Sequence, residues 1–83
     1  MARLEKPYMR VASAPRNARF EDVVRLAEAV GFVLVRRHGS HCAFYHPERP
    51  HLRLSLQPKQ GKAKDYQVRD LLAKIERENL WRW

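Results

Sequence analysis

The six residues from His51 to Leu56 constrain this chain more than any other stretch. Leu52, Leu54 and Leu56 alternate with Arg53 and Ser55. That is the period-two pattern of a strand with one buried face and one wetted face. Two further β-rich stretches precede it. Phe32-Val33-Leu34-Val35-Arg36-Arg37 runs into His38-Gly39-Ser40, a turn. His41-Cys42-Ala43-Phe44-Tyr45-His46 runs into Pro47-Glu48-Arg49-Pro50, a second turn. Three strands joined by turns this short make an antiparallel meander. A meander with one apolar face needs a cover.

Two amphipathic segments supply it. Phe20, Val23, Val24, Ala27 and Val30 recur at helical spacing and predict a helix over Arg19–Val30. Glu21 and Asp22 sit in its first turn, where the helix dipole favours acidic groups. Gly31 is a natural stop. Val68, Leu71, Leu72, Ile75 and Leu80 mark a second helix, with Asp65 as its expected N-cap. The predicted fold class is α+β, in the order α-β-β-β-α. Two helices cover one face of a three-stranded antiparallel meander and leave the other open.

Eighty-three residues leave room for one core. Residues 19–83 read as that single domain. Residues 1–18 carry Arg3, Lys6, Arg10 and Arg16 against Glu5 alone, with Pro7 and Pro15 interrupting regular structure. They read as a basic arm, with at most a short turn of helix from Tyr8 to Ala12.

Charge narrows the choice of partner. Seventeen Lys and Arg against nine Asp and Glu give +8, which favours a polyanion: nucleic acid first, an acidic protein second. The chain has no apolar run of the roughly 20 residues that span a bilayer, so no membrane role is expected. The basic start is not followed by the apolar core of a secretory signal. A single cysteine, Cys42, makes no intramolecular disulfide and suits a reducing cytoplasm, the expected location.

Alternation on the second strand sorts its side chains. Cys42 and Phe44 are the apolar pair and belong with the leucines of the third strand. His41, Ala43 and Tyr45 then share the open face with Arg53 and Ser55. Arg36, Arg37, Lys59, Lys62 and Lys64 rim it, giving a surface suited to RNA. Taken alone, His41 is more often an ordinary surface histidine, and the lysines a solvated loop. His38 reads as a solvated turn residue, and His46 and His51 as structural or exposed. His38, His41, Cys42, His46 and His51 invite a zinc reading, but alternation separates His41 from Cys42 and His46, and CxxC or HExxH spacing is missing. No metal or other cofactor is expected. Trp81 and Trp83 could stack on bases or anchor a partner.

Several motifs carry a family resemblance in their order and spacing. Gly31-Phe32, Gly39-Ser40-His41 opening the second strand, and His46-Pro47 are three of them. Leu56-Gln57-Pro58, Gly61-Lys62-Ala63-Lys64 and Tyr66-Gln67-Val68-Arg69 follow. Together, from Asn17 to Leu80, they resemble the HicA-type mRNA interferase toxins. The resemblance implies a double-stranded-RNA-binding-domain-like fold. It implies ribosome-independent endoribonuclease cleavage of single-stranded mRNA, inhibited by a HicB-type antitoxin. It places the catalytic histidine on His41, with Gly39 and Ser40 as its turn. Two positions depart from the pattern: Cys42 stands where the family often has a second histidine, and Asp65 where close relatives often carry proline.

Metal-free cleavage can use the ribose 2′-hydroxyl as nucleophile. Imidazole suits the proton transfer, and cations stabilise the charge that grows on phosphate. His41 is the expected acid or base, while Arg36, Arg37, Tyr45, Arg53, Lys59, Lys62 and Lys64 are the expected RNA contacts. The rival reading is a non-catalytic basic RNA-binding module on the same fold. A third is a module whose basic face meets an acidic protein.

Overall fold

A computed structural model describes residues 5–80, with only the backbone of Glu5 and Lys6. Arg3, the Lys6 side chain, Trp81 and Trp83 lie outside the described residues.

The chain runs α1 (Glu5–Ala12), a 3-10 turn (Pro15–Asn17), α2 (Phe20–Ala29), β1 (Val33–His38), β2 (His41–His46), β3 (Arg49–Leu56), a short hairpin β4 (Pro58–Lys59) and β5 (Lys62–Ala63), and α3 (Asp65–Arg77). The three long strands form an antiparallel sheet in the order β1-β2-β3. Between α2 and α3 the predicted α-β-β-β-α order is the observed one.

One core serves the described residues. Cys42 and Phe44 of β2 and Leu52, Leu54 and Leu56 of β3 are buried on the inner face. They meet Val23, Leu26 and Ala27 of α2 and Val68, Leu71 and Ile75 of α3 in a single cluster. Removing this apolar surface from water is the main driving force for the fold.

Both covering helices stop by the same device. After α2 the Phe32 N–H donates to Ala27 O (3.0 Å) and the Gly31 N–H to Glu28 O (3.1 Å). Gly31 has φ +107, a conformation that side chains disfavour. After α3 the Leu80 N–H donates to Ile75 O (3.0 Å) and the Asn79 N–H to Glu76 O (3.4 Å), with Asn79 at φ +53. These are Schellman motifs. Each drops a buried residue, Phe32 or Leu80, back over the helix end. The expected helical Leu80 therefore lies beyond the helix yet still packs in the core. At the other end of α3 the N-cap is Lys64, and Asp65 is the first helical residue, its carboxylate 3.0 Å from Arg69 Nε.

The stretch predicted as a basic arm contains α1 and the 3-10 turn. Val11 is fully buried in the core, and Tyr8 packs against it. Arg10 reaches Asp22 of α2 at 3.9 Å, and the Tyr8 hydroxyl donates to Glu76 of α3 at 3.2 Å.

The basic stretch Lys59–Lys64, predicted as a loop, is a hairpin fastened to the chain ahead of α2. The Phe20 N–H donates to Gly61 O and the Ala63 N–H to Ala18 O, both at 3.0 Å. Arg19 forms a bridge to Lys62. The first of these satisfies a donor that the start of α2 would otherwise leave open.

Candidate nucleic-acid interface

The open face of the sheet is set by register. Tyr45 lies opposite Val33 on one side and Arg53 on the other; Ala43 lies between Arg36 and Ser55. His41 is the first residue of β2 and sits opposite His38, the last residue of β1. Gly39 and Ser40 make the two-residue connection between them. Gly39 has φ +62 while Ser40 stays out of the left-handed region, as a type II′ turn requires. His38, Arg36, His41 and Arg53 are exposed and Tyr45 is partly covered.

A bulge decides which basic residues join this face. The β1–β2 register shifts between Leu34 and Arg36, leaving Val35 as the extra residue. A one-residue insertion flips every later side chain to the opposite face. Arg36 and His38 consequently share the outer face with Ala43 and His41, whereas Arg37 pairs with Cys42 on the inner face. The two predicted rim arginines thus point to opposite sides of an exposed edge strand. Arg53 is on the outer face, but its Nη1 donates to the carbonyls of Pro50 and Leu52. Its guanidinium folds back along its own strand with other donors to spare.

Lys59 and Lys62 pair across the hairpin. With Lys64 and Arg16 they line a cleft of 480 Å³ at the start of α3. Lys62 Nζ donates to Asn17 Oδ1 at 3.1 Å. The three predicted lysines are therefore gathered at one place, in a cleft whose lining does not include His41. Arg16 was read as part of the arm; only the pairing of the hairpin with residues 18–20 reveals it here.

The remaining histidines divide cleanly. His46 is buried, its Nε2–H donating to Val30 O at 2.9 Å and its Nδ1 accepting from the Glu48 N–H at 3.3 Å. Phe32 meets its ring edge-on at 5.2 Å. Both nitrogens are engaged, so His46 is a structural residue. His51 is exposed, 3.3 Å from Glu78. Cys42 is a buried free thiol. Among the described residues, no three His, Cys, Asp or Glu side chains are grouped so as to hold a metal ion. No helix among them is long and apolar enough to cross a membrane.

The model of the family described as HicA toxin of bacterial toxin–antitoxin matches residues 20–76. The chain belongs to the HicA toxin family. The match starts at the first residue of α2 and stops one residue short of the end of α3. It takes in the sheet, the His41 turn and the lysine hairpin, and leaves α1 outside. Membership in a HicA toxin–antitoxin family implies an antitoxin partner. No curated protein and no solved structure matches the chain significantly.

Proposed function

We propose that this HicA-family protein is a ribosome-independent endoribonuclease that cleaves single-stranded mRNA without a metal ion and is silenced by a HicB-type antitoxin. The observation that carries the reading is His41, exposed at the mouth of a two-residue turn on the basic open face of the sheet. A solvent-facing imidazole on a rigid strand end can reach a ribose 2′-hydroxyl. A buried one such as His46 cannot.

The roles follow from chemistry. His41 takes the 2′-hydroxyl proton as the oxygen attacks phosphorus, or supplies the proton that the departing 5′-oxygen needs. The sequence offered His41 as the single catalytic histidine; in this reading His38, its pairing partner across the turn, takes the complementary transfer. Arg36 and Arg53 lie on the same face to hold phosphate oxygens, and Tyr45 offers a ring to a base. Lys59, Lys62 and Lys64 hold the backbone further along, and Arg37 attracts it from the sheet's edge. Residues 19–83 are the catalytic domain in this reading, and residues 1–18 are an addition to it.

The deciding experiment is time-dependent cleavage of a labelled message by metal-free protein, with His41→Ala as control for contaminating nuclease. Loss of cleavage in a folded His41→Ala protein supports the assignment. Full activity in that variant overturns it and leaves the non-catalytic RNA-binding module.

A further inference from the structure

Two clefts meet at one tyrosine. The first, 480 Å³, is lined by Arg16, Lys59, Lys62, Lys64, Asp65 and Tyr66. The second, 440 Å³, runs along β3 and is lined by Arg53, Ser55, Tyr66, Gln67 and Asp70. Tyr66 is 66% exposed although it stands in the first turn of a core helix. Nothing in the packing requires an aromatic ring there.

The charges along this path favour an anion. Among the described residues, Arg16, Lys59 and Lys64 have no carboxylate within ion-pair distance. The two carboxylates on the path are already engaged: Asp65 with Arg69 at 3.0 Å and Asp70 with Lys74 at 2.6 Å. On β3 the second cleft is lined from Ser55, which pairs with Ala43, to Arg53, which pairs with Tyr45, so it opens onto the outer face that His41 shares.

The geometry points to Tyr66 as the base-stacking platform of a single-stranded RNA track that enters at the lysine hairpin and follows β3 to the His41 face. The inference rests on the ribonuclease reading above and adds to it a route for the strand. Cations that track phosphates, with an exposed ring between them, are how single strands are held without sequence preference. The hairpin is fastened at Ala18 and Phe20, so its lysines project from a fixed platform and little backbone freedom is lost on binding.

The test uses a 2′-O-methyl oligoribonucleotide, which has no free nucleophile and is not cleaved, with 2-aminopurine at one internal position. Anisotropy reads affinity and 2-aminopurine quenching reads stacking. Tyr66→Ala is expected to weaken binding about 5- to 100-fold and to abolish the quench. Tyr66→Phe should keep both. Full affinity and full quench in Tyr66→Ala overturn the track and leave the ribonuclease reading standing. Failure of the wild-type protein to bind the oligonucleotide defeats both together. Polyglutamate binding as tight as that of the oligonucleotide, unaffected by Tyr66→Ala, assigns the basic cleft to an acidic protein and overturns the track.

Discussion

His46 Nε2 lies 2.9 Å from the carbonyl oxygen of Val30. The bond ties the end of β2 to the end of α2, and it commits that imidazole to the interior. Replacing His46 with Ala leaves the Val30 carbonyl unpaired and opens a void beside Phe32. A loss of about 2–4 kcal/mol is expected, read as a lower urea midpoint with unchanged slope. RNA cleavage at a temperature where the variant stays folded should be close to wild type.

His41→Ala should have the opposite signature. The side chain is exposed, so the melting curve should not move. Single-turnover cleavage should fall about 10²–10⁴-fold. His38→Ala, across the same turn, is expected to show a smaller loss and a simplified pH–rate profile that has shed one limb. An unchanged profile would remove His38 from the proton transfers.

Gly39 is required for its backbone. Nothing lies within 4 Å of an added Cβ, so space is not the constraint; φ +62 is. Gly39→Ala is expected to cost about 1 kcal/mol through left-handed strain, and Gly39→Asn less. Thermal melts of the three proteins check the order.

The salt dependence of oligonucleotide binding reports the cations used. Four to six neutralised phosphates give a log–log slope of about −3 to −4 on single strands. Changing Lys59 and Lys64 to Gln should flatten it by about 1.4. A slope that does not change would place the RNA elsewhere.

Tyr8 gives α1 a pH limit. Burial first, then the hydrogen bond to Glu76 and its charge, raise the phenol above its usual 10.0. The folded state favours the neutral phenol. Its contribution is whole below pH 10 and is lost as pH rises through the raised value. Stability measured from pH 9 upward should fall more steeply in wild type than in Tyr8→Phe. Val11→Ala should cost about 2 kcal/mol at any pH.

The sheet and both covering helices were legible because their patterns are local. Leucines at 52, 54 and 56 face one way, and Gly31 ends a helix wherever it follows one. The outer-face positions of His41, Tyr45 and Arg53 came from the same alternation. The bulge at Val35 was not legible, since an unpaired residue in an apolar run has no signature of its own, and it decides that Arg36 rather than Arg37 joins the outer face. The buried role of Val11 was hidden by the prolines and arginines around it. The β4–β5 hairpin was hidden because it is only two residues long on each side and the segment that fastens it, Ala18 to Phe20, is far away in sequence. Arg16 and Tyr66 were passed over for that reason: each acquires neighbours only when the hairpin is in place.

That pairing bears on the order of events during synthesis. Chains emerge amino end first, yet Ala18 must wait for Ala63, and Phe20 for Gly61, before these hydrogen bonds can form. The inner face of the sheet waits longer still, for α3. The sheet turn carrying His41 can be made from residues already synthesised, whereas the basic cleft can close only after more than three-quarters of the chain has been released. The nascent protein would thus present its histidine before its grip.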